Sequence, residues 1–425
     1  MYAYIETYGC SANQNNSEIL AGMLTGAGFI VIQDPKLADI IIINTCVVKG
    51  PTEQKMRSAI QLYKNKKLVV CGCMPDVEAK IIKEIAPKAS ILGTHHFSDI
   101  IKVVRKTIDG ERFELVDKTD EIKLCMPKMP KNRIIGINQI SEGCLGECTY
   151  CYTRLAKGKL FSYPKDLILK SIQNDIDSGA KEIWLTSQDC AAYGLDKGKR
   201  ELPELLHSIL KLKGKFFIRL GMMNPNNVKP ILKKLIECYK DKKMFKFIHL
   251  PIQSGSDKVL ENMERGYKIK DVEQIIQAFR KEFPEMLIST DMICGYPTET
   301  DDDFQMTLDL MKKIKPNIIN TSKFWAMPKT FASRLKQLSS EEIKSRSTRL
   351  SFLQKQIGLE INKNLLGKEY HCIVDDYGKS GMISRNLNYM PILIEKAKIG
   401  DIVDLKINGF SEAYLIGEII KEKSN

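Results

Sequence analysis

No stretch of this 425-residue chain approaches the ~18 consecutive apolar residues that a membrane span requires. The opening residues, MYAYIETYGC, enter a strand-like pattern without the basic and apolar regions of a signal peptide. A cytoplasmic location with reduced cysteines is therefore expected, and no membrane partner. Self-similarity at a period of about 20–50 residues is absent too, as is any low-complexity tract, which argues against solenoids and disordered linkers. One further absence is local. In SEGCLGECTYCYT, Cys144, Cys148 and Cys151 have no fourth cysteine or histidine beside them, whereas a structural zinc site wants four ligands, typically as two separated pairs.

What is present begins with twelve cysteines, which in a reducing compartment read as metal ligands or catalytic groups rather than disulfides. The formal charge is +13, pointing to an acidic partner, nucleic acid first. Residues 1 to 125 carry 16 basic and 15 acidic side chains, and residues 126 to 330 carry 34 and 25. Residues 331 to 363 carry 7 and 3, and the last 62 residues 8 and 9, so the excess sits in the middle and in the segment after it.

The length implies two or three domains. In residues 1–117, AYIETY, DIIIINT and KLVVCG read as strands, each followed by a helical stretch, which predicts a parallel α/β sheet. Residues 118–133 read as a polar, proline-containing linker. Across 134–331 the candidate strands are IIGINQI, EIWLTS, KFFIRLG, FKFIHLPI, LISTDMI and NIINTSKFW, which predict an open or partial (β/α)6 barrel. Residues 332–364 hold a basic helix with Ile343, Leu350, Leu353, Ile357 and Ile361 on one face. Residues 365–425 read as five short strands, a small all-β barrel of OB-like size.

A second cysteine set lies in the first domain. Cys10, Cys46 and Cys73 each follow a predicted strand, at intervals of one strand–helix unit. In a parallel sheet those carboxyl ends share the edge where ligands bind, so three remote thiols are expected to converge there. Gly9 and Gly72 permit the tight turns this needs. Cys71 competes with Cys73, but it lies inside its strand, where a cysteine is ordinarily a small buried hydrophobe. The competing reading of the whole set, incidental core cysteines, is weakened by the repeated strand-end placement. For Cys144, Cys148 and Cys151 it is weaker still: three thiolates on a four-iron cluster leave one iron open to a substrate.

C-x3-C-x2-C after the first strand of a partial barrel, with Tyr150 before the third cysteine, resembles the radical S-adenosylmethionine enzymes. The upstream cysteines, the terminal β-domain, and the stretches TYGCSANQNNSE, NTCVVK, VVCGCMPD, HLPIQSGSDKVLENM and TDMICGYPTETDDDF resemble the methylthiotransferases. EIWLTSQDCAAYG, RLGMMNP and AKGKLFSYP are similar to their archaeal and eukaryotic branch, which acts on threonylcarbamoyladenosine beside the tRNA anticodon. The resemblance implies a [4Fe-4S] cluster on Cys144, Cys148 and Cys151 that binds and reductively cleaves S-adenosylmethionine, giving a radical that abstracts hydrogen from carbon 2 of adenine. It implies a second [4Fe-4S] cluster on Cys10, Cys46 and Cys73 that holds the sulfur, with tRNA and an electron-donor protein as partners of a monomer. The candidate S-adenosylmethionine contacts are Gln188, Asp189, Arg219, Gln253 and Gly295, all but Arg219 near barrel-strand carboxyl ends, where active-site residues gather. Of these, Arg219 or Gln188 would pair with the methionine carboxylate and Gly295 would admit the adenine. Arg219 reads equally as an ordinary interior ion pair.

The terminal barrel resembles the TRAM domain, an RNA-binding module, yet its 8 basic against 9 acidic residues are not a phosphate-binding surface in aggregate. A local patch of Lys379, Arg385, Lys396 and Lys398, with Lys344, Arg346 and Arg349 of the preceding helix, is the expected substitute. In AMPKTFASRL, Lys329 and Phe331 replace the glycine and proline of a Gly-Thr-Pro turn, so a different loop shape is expected. Cys190 reads as a neutral filler, and His95-His96, which have no further histidine or cysteine nearby, do not read as a metal site. Competing functions are methylthio transfer to isopentenyladenosine tRNA or to a ribosomal protein, and a non-catalytic iron–sulfur RNA-binding protein; the last has no use for two open-iron clusters.

Overall fold

The four consecutive isoleucines of Ile40–Thr45 are buried because both faces of the sheet they enter are covered. Ile41 and Ile43 pack with Val70, Ile82 and Ile91 on one side, whereas Ile40 and Ile42 pack with Leu20, Val69 and Val103 on the other. A computed structural model describes residues 1–47 and 50–423 of the chain. Val48 and Lys49, part of the NTCVVK stretch, lie outside the described residues.

The first sheet has six strands, all parallel, in the spatial order Ile30–Ile32, Tyr2–Thr7, Ile40–Thr45, Leu68–Gly72, Ser90–Gly93, Glu114–Leu115. Three of these match the apolar runs read from the sequence. The others are two to four residues long, too short to stand out as alternating or continuous apolar stretches.

The central region contains the six expected strands: Ile135–Gln139, Glu182–Thr186, Phe217–Leu220, Phe247–His249, Leu287–Cys294 and Ile318–Lys323. They pair in parallel as two triplets. Backbone hydrogen bonds from Phe245 N to Ile218 O (3.0 Å) and from Met223 N to His249 O (3.0 Å) join the triplets into a partial barrel. Ile183, Leu185, Ile218, Leu220, Ile248 and Ile288 face the surrounding helices. Their neighbours in each strand point into the barrel and grade along its axis. Ile135, Phe217 and Leu287 lie near the amino ends, and Gln139, His249 and Asp291 toward the carboxyl ends.

The terminal domain is a closed five-stranded barrel in the order Glu369–Gly378, Gly381–Asn386, Pro391–Ile394, Leu415–Lys423, Ile402–Phe410. Its core (Val374, Ile392, Val403, Leu405) is continuous with Ile135, Ile137, Phe247 and Leu287, so it closes the apolar end of the partial barrel. The connecting helix, Ser340–Lys363, begins in a capping box of Ser339 and Glu342. It buries Leu350, Leu353 and Ile357 as expected, but Ile343 and Ile361 are only partly covered.

Two residues assigned to a basic surface are interior ion pairs. Arg346 is buried against Glu299 (2.7 Å) and Asp301 (2.9 Å), and Arg385 Nε donates to Asp375 at 2.7 Å. Arg349 lies over the Phe304 ring at 5.0 Å. Lys344, Lys379, Lys396 and Lys398 remain exposed. Among the described residues no helix is long and apolar enough to cross a membrane.

Candidate active site

Cys10, Cys46 and Cys73 sit at the carboxyl ends of three adjacent strands, whose register pairs Thr7 with Asn44 and Thr45 with Gly72. The close approach depends on glycine. At Gly9 (φ +108°) a Cβ would stand 2.8 Å from the Cys46 Sγ, and at Gly72 (φ +94°) one would stand 2.4 Å from the Thr45 carbonyl oxygen. Asn13 occupies the middle of the set. Its side-chain amide donates to the carbonyls of Tyr8 (2.8 Å) and Thr45 (2.7 Å), and its Oδ1 lies 3.9 Å from the Cys73 Sγ. Nothing in the sequence separates Asn13 from the polar residues around it. Burial pushes the Cys73 thiol up, so a cationic partner is needed to keep it as the thiolate that binds metal.

The second set lies on the loop after the first barrel strand. Gly146 N donates to the Cys144 Sγ at 3.2 Å, which curls the loop around that sulfur. Gln188, at the end of the next strand, accepts from Gly143 N at 2.8 Å and fixes where the loop starts. Arg265 is a residue that sequence reasoning misses. Its guanidinium is buried and spans the Cys148 Sγ (3.1 Å), the Pro251 carbonyl (3.0 Å) and the Tyr267 hydroxyl (3.1 Å). A lone arginine after a short helix gives no periodic or spacing signal. Burial pushes the Cys144 thiol up to about 11 and that of Cys151 upward as well.

Among the described residues no three His, Cys, Asp or Glu side chains stand close enough to share one ion. Both sets offer thiols as the only donors of metal-ligating type, with Asn13 beside Cys73 and Arg265 beside Cys148, and three thiolates on a four-iron cluster leave one iron open.

The five candidate cosubstrate residues divide. Gln188, Asp189 and Gln253 lie at the carboxyl edge of the barrel. Asp189 is buried, and its carboxylate accepts from Ala191 N (3.1 Å), Asn224 N (3.0 Å) and Asn227 Nδ2 (2.7 Å), so it braces neighbouring loops. Gln253 holds a left-handed backbone (φ +76°) while bridging the strand end to Met292, a strained placement of the kind that gathers at active sites. Arg219 points down the barrel instead. Its guanidinium lies 4.7 Å from the Trp184 ring, 5.1 Å from Phe247 and 5.5 Å from Tyr389 of the terminal domain. Gly295 is filled rather than open: Ile343 would lie 2.4 Å from a Cβ there, and its N–H donates to Glu299. Cys190 is buried under Gly221.

The two cysteine sets are joined through a buried ionic group. Glu142, just before the loop, accepts from Lys157 just after it (2.5 Å) and from Lys123 of the linker (2.6 Å). Lys157 also donates to Thr94 of the first domain at 2.5 Å. Burial disfavours charge on Glu142, but the two ammonium groups hold its carboxyl well below the usual range. Burial likewise opposes the Lys157 charge, and a thiolate at Cys73 together with the Glu142 carboxylate outweighs it. Tyr152, next to Cys151, donates to Glu78 of the first domain at 2.9 Å.

A partial barrel with this cysteine loop is the catalytic unit of the radical S-adenosylmethionine enzymes, and residues 138–311 match the model of the radical SAM superfamily. Residues 2–93 match that of the uncharacterized protein family UPF0004. The fold agrees with a solved radical S-adenosylmethionine methyltransferase, TsrM from Kitasatospora setae, at a TM-score of 0.58 and 12% identity, covering 78% of this chain and 76% of that one. The chain is 40% identical over 422 residues to a probable threonylcarbamoyladenosine tRNA methylthiotransferase of Methanothermobacter thermautotrophicus, covering 98% of this chain and 99% of the relative. It is 38% identical over 423 residues to that of Pyrococcus horikoshii, again covering 98% and 99%. The Xenopus laevis enzyme of that name is 32% identical, with 99% of this chain and 77% of the relative covered. The chain belongs to the threonylcarbamoyladenosine tRNA methylthiotransferase family.

Proposed function

We propose that this chain adds a methylthio group to carbon 2 of N6-threonylcarbamoyladenosine beside the anticodon of tRNA. The observation that carries the reading is the pairing of two thiol triads on facing domain edges, locked together through Thr94, Glu142 and Lys157, in a chain of this family. When bound, a cluster on Cys144, Cys148 and Cys151 supplies the electron that cleaves S-adenosylmethionine, and one on Cys10, Cys46 and Cys73 supplies the sulfur.

The chain's own groups divide the remaining work. Arg265 orients Cys148 and places a fixed positive charge beside it. Gln188 sets the start of the loop, and Asp189 braces the loops that border the cosubstrate. Gln253 and the His249–Asp291 pair at the carboxyl end of the barrel face the reactants, Gln139 is tied to Ala12 and Asn16 of the first domain, and the terminal domain excludes water from the opposite end. Arg219 belongs to that lower seal rather than to the methionine carboxylate.

The test is nucleoside mass analysis of tRNA from cells with and without this chain. Loss of 2-methylthio-threonylcarbamoyladenosine with accumulation of its precursor supports the reading. An unchanged nucleoside overturns it and makes a ribosomal protein the next substrate to examine.

A further inference from the structure

Two large aromatic side chains stand open to solvent between the cysteine sets. Trp325 is 51% exposed and Phe331 58% exposed. They lie on the segment that leaves the last barrel strand, KFWAMPKTFASRLK (323–336), which carries four basic and no acidic side chains. Lys323, Lys329, Arg334 and Lys336 are the four cations, and all four are exposed.

Several independent contacts fix where this segment runs. The Trp325 ring covers Gly50, shortly after Cys46: a Cβ at Gly50 would stand 2.7 Å from the ring. Met327 is buried with Cys73, Met74 and Tyr152. Lys329 Nζ donates to the Val77 carbonyl at 3.2 Å, four residues beyond Cys73. Ala332 N donates to the carbonyl of Thr149, between Cys148 and Cys151, at 3.0 Å. The segment therefore straps both cysteine-bearing edges.

The strap's shape is held at some cost. Lys329 adopts φ +66°, the left-handed conformation that a glycine takes freely and an ordinary residue only against steric resistance. The turn thus keeps a glycine-like backbone although its residue is a lysine, and the side chain gained is a cation. Arg334 follows Phe331 by three residues, so cations alternate with rings along the strap.

From this arrangement we propose that residues 323–336 form a stacking platform for unpaired bases of an RNA loop, with Trp325 and Phe331 each taking a base and the four cations following the phosphates. The inference rests on the tRNA reading above and names the surface that would hold the loop around the modified adenine. Aromatic faces accept any base, and single-stranded RNA is recognised by such stacking combined with a basic track. A strap with no acidic residue fits a polyanion better than a peptide.

The test measures binding of two probes to the full chain reconstituted with iron and sulfide. One is a labelled RNA hairpin with an unpaired loop, the other a blunt RNA duplex of equal charge, each followed by fluorescence anisotropy over a range of salt. Trp325→Ala with Phe331→Ala should weaken hairpin binding at least about tenfold and leave the salt slope unchanged, because stacking releases no counterions. Trp325→Phe, which keeps a ring, should restore most of the loss. Lys329→Gly with Arg334→Ala should instead flatten the salt slope, by roughly 0.7 for each single-strand phosphate that is no longer neutralised.

Unchanged hairpin affinity in the double aromatic variant overturns the strap, as does equal affinity of the native chain for the duplex. So does displacement of the hairpin by an unstructured acidic peptide of matched charge. The two readings fail separately. A native chain that binds the hairpin through these rings but alters no nucleoside in cells refutes the catalytic proposal alone. A chain that modifies tRNA while the aromatic variant binds normally refutes the strap alone.

Discussion

Lys157 and Glu142 meet at 2.5 Å at the joint between the two cysteine-bearing domains, and neither group reaches solvent. A second buried ammonium, Lys123, meets the same carboxylate at 2.6 Å. Removing the carboxylate would leave two cations buried together. Breaking one partner of such a group costs about 3–5 kcal/mol, because the survivors stay desolvated. Glu142→Gln is therefore expected to lower the unfolding free energy by that order, to bring down the midpoint of denaturant unfolding with it, and to open the linker around Lys123 to limited proteolysis. Lys157→Met removes one cation and keeps the Lys123–Glu142 pair, so a smaller loss is expected. Equal midpoints for native chain and Glu142→Gln would remove this group from the account of the joint.

Arg265 leads to a second expectation. Its guanidinium reaches the Cys148 Sγ while tied to Pro251 and Tyr267, so the sulfur's position is set by a rigid fork. Arg265→Leu should reduce iron bound at the barrel loop and slow 5′-deoxyadenosine formation at least about tenfold, each 1.4 kcal/mol of lost positioning being a factor of ten. Arg265→Lys keeps the charge but not the fork, and its iron content should fall between the two. Full iron content and an unchanged visible spectrum in Arg265→Leu would show that the contact is incidental.

The cysteines make the third. Reconstituted protein should hold about eight iron atoms, four for each triad. Replacing Cys144, Cys148 and Cys151 together by alanine should leave about four, and so should replacing Cys10, Cys46 and Cys73. Only the first set should abolish reductive cleavage of S-adenosylmethionine. Cys71→Ala and Cys190→Ala, both buried core thiols, should change neither iron content nor cleavage. If Cys71→Ala removes iron and Cys73→Ala does not, the choice between those neighbours is reversed.

Much of this architecture is legible in the sequence, and the reasons are physical. The six barrel strands and the five of the terminal barrel are apolar runs bounded by turn residues, and each appears within a few residues of its expected bounds. The cysteines are legible because strand ends in a parallel sheet share an edge, so sequence intervals convert directly into convergence. Side-chain direction is less accessible. Its charge suggests Arg219 for the methionine carboxylate although it lies within its strand, and a cage of three rings holds it toward the terminal domain instead. Arg346 and Arg385 count as surface charge in the sequence because composition cannot tell a solvated arginine from one paired with a carboxylate on another element. Glu299 and Asp301 lie more than forty residues before Arg346. Arg265 and Asn13 act through tertiary contacts that leave no periodic trace.

The seat of the terminal domain makes the last expectation a matter of pH. Glu182 lies fully buried in the barrel beside Asp375 of the terminal domain, with Arg385 near both and Arg219 near Glu182. Burial, then the neighbouring Asp375, push the Glu182 carboxyl upward despite the hydrogen bond that Trp184 Nε1 donates at 3.1 Å. For an acid whose folded pKa is raised, the favourable term is complete below the unfolded value and is lost as pH rises through the folded one. Native protein should therefore lose thermal stability between mildly acidic and mildly alkaline pH, roughly a few degrees in Tm. Glu182→Gln, isosteric and never charged, should flatten that decline while melting at or above the native chain at the alkaline end. The two Tm curves, taken from about pH 5 to about pH 9, should lie nearest at the acid end and separate steadily until about pH 8, where the Glu182 carboxyl ionises in the folded chain. Parallel curves would mean that Glu182 does not titrate in this range and that Arg385 or Arg219 keeps it ionised throughout.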